Sequence, residues 1–305
     1  MRHNKKNVYR IGIALGSGSA RGWAHIGVIK TLNEIGIVPE IVCGCSIGAL
    51  VGASYVAGNL DKLEKWVCSL TKLKIAKYFE LNLSLNGFVD TERLHAFLIK
   101  YVCDEGKNIE NLPKKFSTVS TDLETGREIW FTSGPVIQAV WASISLPGLF
   151  PPIQNQGRWL VDGGLVNPVP VSVCRAMGAD IVIAVNLNRN IVRRHFDQKP
   201  RETHGDGIKN LFTKTIRRYS ASLFSSVKSK NPKPGLFEAI AGSINIIQDR
   251  ITRSRMAGDP PDILLAPDLS NIGLLEFYRA KEAIKEGKEC VKRMLLEIKH
   301  IMGKA

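Results

Sequence analysis

The chain has 305 residues, 44% of them hydrophobic, which is enough to bury a sizeable core in one large domain or two modest ones. Its six cysteines (Cys43, Cys45, Cys68, Cys103, Cys174, Cys290) form no CxxC pair and no Cys/His cluster, which argues against a disulfide framework or a zinc site and for a reducing, cytosolic setting. A formal charge of +14 bears on partners rather than fold, with anionic membrane surfaces and nucleic acid as the generic candidates. No stretch reaches the roughly 18 to 20 apolar residues that span a bilayer. Met1–Asn7 is polar and basic, and the apolar stretch after it is too short and glycine-rich for a signal segment, so a soluble or at most peripheral protein is expected.

In chain order, Val8–Leu15 is a short apolar run with β-branched residues, closed by the glycine-rich Gly16–Gly22. Helical spacing runs from Trp23 to Ile35 and stops at Gly36. A second apolar run, Ile37–Cys43, leads into Gly44-Cys45-Ser46-Ile47-Gly48, and Ala49–Ala57 reads as a buried helix of small residues. Two apolar strands joined by a helix predict a parallel βαβ unit in an α/β protein whose strands are covered on both faces. Residues from Leu60 to about Leu112 are mostly helical, with a loop near Ser84–Gly87. Strands are expected at Phe116–Asp122, Glu128–Thr132, Arg158–Val161, Asp180–Asn186 and Ile263–Leu265. Helices are expected at Pro135–Ser143, Val171–Met177 and, as one amphipathic closing element, Leu274–Ile301.

Between Arg193 and Lys233, eleven Lys and Arg against three acids carry +8 of the total charge. The same stretch has apolar residues at helical spacing, and Leu236–Met256 repeats that apolar stripe. The expected division is a core over 8–190, a basic helical insertion or lid-like segment over 191–260, and a final strand and closing helix over 261–305.

The five residues Gly44–Gly48 fit the G-x-S-x-G nucleophile elbow, in which a serine sits on a strained strand-to-helix turn. Side chains two residues to either side would collide, so Gly44 and Gly48 suit it, and the helix N-terminus behind offers N–H groups to an oxyanion. Gly16–Gly22 is not a dinucleotide loop, because its spacing is G-x-G-x-x-x-G and no acidic ribose partner stands about 20 residues on. It is not a phosphate loop either, since it lacks the GK[ST] ending; no cofactor and no metal is expected. What remains is a set of backbone donors beside Arg21, or merely a tight turn. Asp162-Gly163-Gly164 is a common turn that gains weight by ending an apolar segment. Among six histidines only His25 is near the glycine loop, on a helix where it reads as a packed or capping residue, which favours Asp162 taking the serine proton directly. Cys45, at an elbow flank, reads as packing.

Together these motifs resemble the patatin-like phospholipase family. The matching text is GSGSARGWAHIGVIKTLNEIGI, GCSIGALVGASY, SISLPGLFPP and LVDGGLVNPVPV, in the family's order over about Ile11–Val171. The first block is also similar to the esterase domain of neuropathy-target-esterase-like lysophospholipases. The resemblance implies a three-layer α/β/α sandwich with a mostly parallel central sheet. It implies a Ser/Asp dyad of Ser46 and Asp162, an oxyanion hole from Gly16, Ser17 and Gly18 with Arg21 in the family's basic position, and phospholipid, lysophospholipid or neutral-lipid esters as substrates. Ser17 departs from the glycine of many members, though its backbone N–H is unaffected.

The basic, striped Ile208–Lys230 suits the interface of an anionic membrane, or a solvated helical insertion packed on the core. Nucleic acid is not expected, because aromatics for base stacking are sparse there. A general carboxylesterase, a thioesterase and a non-enzymatic regulatory scaffold stay open as alternatives, and the oligomeric state is not legible.

Overall fold

The computed structural model describes residues 9–79, 91–189 and 236–304. The expected loop at Ser84–Gly87 and the basic, apolar-striped stretch Ile208–Lys230 lie outside the described residues. Among the described residues, eight strands form one mixed sheet: β1 (Ile11–Leu15), β2 (Ile41–Cys45), β3 (Lys115–Asp122), β4 (Glu128–Phe131), β5 (Ile153–Asn155), β6 (Arg158–Asp162), β7 (Ile181–Val185) and β8 (Ile263–Leu265). Strands β3-β2-β1-β7-β8 are parallel; β4 and β6 pair antiparallel with β3, and β5 with β6.

The parallel strands are nearly continuous apolar runs because both faces are covered, and the two-residue period sorts their side chains into two cores. Ile13, Leu15, Val42, Ile183 and Val185 point into the larger core. It is closed by α1 (Ala24–Glu34), α2 (Ile47–Val56), α3 (Leu60–Val67), α4 (Lys72–Phe79), α5 (Thr91–Tyr101) and α6 (Val136–Ile144). Ala14, Ile41, Cys43, Val182 and Ala184 point the other way, toward α7 (Val171–Ala176) and Met256 of the helix α8 (Leu236–Gly258). The result is the expected three-layer sandwich.

Two expected bounds shift for local reasons. β2 starts at Ile41, because Pro39 has no N–H for a ladder, and it runs through Gly44, which pairs with Leu15. The closing helix is two, α9 (Ala280–Arg293) and α10 (Leu295–Lys304), with a break at Met294 after which Ile298 turns fully inward. The short β5 has no counterpart among the expected strands.

The register of β3 sets up the site. Cys45 at the end of β2 lies opposite Val119, and Asp162 at the end of β6 lies opposite the next residue, Ser120. β4 pairs along Thr118–Thr121 and so takes the other edge of β3. β2 and β6 therefore meet end to end along one edge of β3, with Ser46 and Asp162 at the junction.

The segment 236–258 is not peripheral to this sheet. It belongs to the connection between the adjacent parallel strands β7 and β8, as such pairing requires. Much of its apolar stripe is turned outward and a polar stripe inward. Asn245, Gln248, Asp249 and Thr252 are buried, while Ile240, Ile246 and Ile247 are 46%, 50% and 47% exposed. Polar residues can take the inner face because they find hydrogen-bond partners there. No described helix is long and apolar enough to cross a membrane.

Candidate active site

Ser46 stands between β2 and α2 with φ 56° and ψ −125°, a left-handed conformation unusual for a residue with a side chain. The turn closes only with glycine on both sides. A Cβ on Gly44 would lie 2.4 Å from the Ala49 Cα, and one on Gly48 would lie 2.1 Å from the Leu15 carbonyl oxygen. Both obstacles are backbone and cannot swing away. Gly48→Ala is accordingly expected to destabilise the fold by about 3 kcal/mol or more. Gly242→Ala, in open space on α8, should be neutral or mildly stabilising. Thermal melts of the two variants check this; a Gly48→Ala protein that melts like wild type would refute the packing described.

The Ser46 hydroxyl donates to Asp162 Oδ2. The other carboxylate oxygen, Oδ1, accepts from the Gly164 N–H at 2.7 Å, so the turn glycines orient the acid. Asp162 is fully buried, and that desolvation pushes its pKa from 3.8 to about 6, against the opposing pull of its two hydrogen bonds. Its backbone is fixed as well: its N–H donates to Ser145 O at 3.0 Å, and its carbonyl accepts from Thr121 Oγ1 at 2.8 Å.

Ser143, from α6, ties the junction together. Its hydroxyl donates to Val119 O at 2.6 Å and accepts the Ser46 N–H at 2.9 Å, linking the elbow to the strand that also carries β6. Nothing in the sequence marks this serine, although it lies inside SISLPGLFPP.

The glycine loop comes beside the elbow, where Gly48 abuts Leu15 and Gly16. Of the residues expected to supply donors, two have their amides engaged: the Gly16 N–H donates to Val185 O at 3.1 Å and the Ser17 N–H to Pro168 O at 2.8 Å. The N–H groups of Gly18 and Ser19 have no acceptor among the described residues. Gly18 is among the expected donors, whereas Ser19 is not singled out by the sequence.

Arg21 is 2% exposed and serves the loop itself, with Nε donating to Gly18 O at 3.2 Å and Nη2 to Asn245 Oδ1 at 2.9 Å. Burial lowers its pKa to about 9, so the guanidinium is still charged at neutral pH. His25 is fully buried, and desolvation lowers its pKa to about 4. The neutral ring hydrogen-bonds the Gly16 carbonyl at 2.8 Å through Nε2, which must carry the proton there. It braces the loop, and its accepting Nδ1 makes no hydrogen bond to Ser46. Cys45 is buried, and desolvation holds its thiol well above the usual range, so it is no rival nucleophile.

An α/β sandwich with a strained serine hydrogen-bonded to a buried aspartate beside unengaged loop amides has the makings of an acyl-transfer site. The sequence model of the patatin-like phospholipase family matches residues 13–175, and the chain belongs to that family of lipid hydrolases. An uncharacterised NTE family protein of Mycobacterium tuberculosis is 31% identical, with 92% of this chain and 89% of that protein covered. The lysophospholipase of Emericella nidulans is 27% identical over 95% of this chain, which spans only 18% of that longer protein. Among solved structures, VipD of Legionella pneumophila aligns with a TM-score of 0.37 at 13% identity, covering 97% of this chain and 79% of that one.

Proposed function

We propose that the chain hydrolyses acyl esters of phospholipids or lysophospholipids through a Ser46/Asp162 dyad. The observation that carries this reading is the hydrogen bond from the Ser46 hydroxyl to a buried carboxylate at the tip of the elbow. Asp162 accepts the Ser46 proton as Oγ attacks the ester carbonyl, and the tetrahedral oxyanion is held by the unengaged amides of Gly18 and Ser19 with the N-terminus of α2 behind Ser46. Collapse expels the alcohol, here a glycerophospho group, which takes the proton from Asp162. Water then hydrolyses the acyl-enzyme with Asp162 again as base. A carboxylate with a pKa near 6 is basic enough for this at neutral pH yet mostly ionised.

The lipid substrate is supported by family membership and by the named activity of the fungal relatives. Peripheral contact of the basic Ile208–Lys230 stretch with anionic membranes is part of the same reading, on sequence pattern alone. A panel of lysophospholipids and diacyl phospholipids, run beside short-chain nitrophenyl esters and acyl thioesters, tests it. Fatty-acid release from at least one phospholipid class is expected. Turnover confined to nitrophenyl esters or thioesters would replace the lipid reading, and no turnover of any ester would point to a scaffold.

A further inference from the structure

α8 lies beyond the stretch that the family model matches, yet it reaches the glycine loop with two side chains. Gln248 Oε1 accepts from the Ser17 hydroxyl at 3.0 Å and from Asn188 Nδ2 at 3.2 Å. Asn245 Oδ1, one turn earlier on the same buried face, accepts from Arg21 Nη2, and Arg21 in turn grips the Gly18 carbonyl. Gln248 Nε2 lies against Gly164, the residue whose N–H orients Asp162. Asn245 and Gln248 are 8% and 5% exposed, and the helix turns three isoleucines outward while burying them.

That inversion calls for a cause, because a buried amide forgoes water and an exposed isoleucine forgoes burial. The two amides are matched to Ser17, the residue before Gly18, and to Arg21, whose side chain holds the Gly18 carbonyl. Ser17 is also where the chain departs from the family's glycine, and its hydroxyl has Gln248 as its partner. Resting on the Ser46 reading above, we infer that Gln248 and Asn245 are positioning residues. They clamp Ser17 and Arg21 so that the Gly18 and Ser19 amides face the ester carbonyl at Ser46. α8 then belongs to the catalytic unit rather than to an appended segment.

The test is a double-mutant cycle in the full chain with Ser17→Ala and Gln248→Met, which remove the same hydrogen bond from either end. Each single change should lower kcat on a short-chain ester about 10- to 100-fold and slow fluorophosphonate labelling in parallel, with KM little changed. The double variant should be no slower than the worse single, because the two act as one unit. Asn245→Ala should fall in the same range. Wild-type kcat and labelling rate in Gln248→Met, or effects that multiply in the double variant, would overturn the clamp. If Gln248→Met does not fold, Ser17→Ala decides by itself, and an unchanged kcat refutes the inference. A wild-type protein that takes up no fluorophosphonate sinks the Ser46 reading instead, so the two failures are told apart.

Discussion

The Ser46→Ala protein is expected to lose ester turnover by about 10⁴-fold or more and to take up no fluorophosphonate, while keeping its fold. The expectation rests on the elbow: the Ser46 hydroxyl is held against Asp162 at that turn, and Cys45 beside it is buried with its thiol protonated. Near-wild-type turnover or labelling in the alanine protein would remove Ser46 from the mechanism. The backbone supplies an independent readout. Holding a residue with a Cβ at φ 56° costs about 1–3 kcal/mol, which glycine avoids. Both substitutions lose the bond to Asp162, so Ser46→Gly should melt higher than Ser46→Ala while being equally inactive. An alanine protein as stable as the glycine one would mean that the turn is not strained.

Asp162→Asn should lose turnover by about 10³-fold or more, because the amide keeps the shape of the carboxylate but cannot take a proton. In wild type the acid limb of kcat/KM should fall below about pH 6, as Asp162 becomes protonated. The same shift has a consequence for stability. A carboxyl whose folded pKa is raised from 3.8 to about 6 binds its proton more tightly when folded, so stability is lost as pH rises through that window. Asparagine removes that loss, amounting to about 3 kcal/mol at most. The variant should therefore melt a few degrees above wild type at pH 8 and show little or no gain at pH 4. Retained turnover would refute the base role. An equal melting difference at both pH values would refute the raised pKa.

The two residues of the proposed dyad are legible in the sequence because each carries a local signature: Ser46 a glycine-flanked turn after an apolar run, Asp162 a turn closing another. That they meet is not legible, since pairing along Val119 and Ser120 decides it and those residues look like any other strand. The glycine loop announces itself as a source of donors. Which amides stay free depends on Val185 and Pro168, well over a hundred residues away, and no local pattern encodes that. The sheet's central strands are readable from uninterrupted apolar runs, whereas three-residue β5 is too short to show a period. In α8 the helical period is legible and the buried face is not. Asn245, Gln248, Asp249 and Thr252 repeat at helical spacing as clearly as the isoleucines do, and a preference for burying apolar residues picks the wrong stripe.

If the proposed dyad does the chemistry, the end-to-end meeting of β2 and β6 on β3 makes catalytic competence a checksum on folding. Neither half of the pair is close to the other along the chain, and no loop or linker sets their separation; two successive rungs of a single strand do. A slip of β6 by one residue would carry the carboxylate to the opposite face of the sheet and leave the serine with a hydroxyl and no base. Misregistered chains would thus be chemically silent rather than promiscuous.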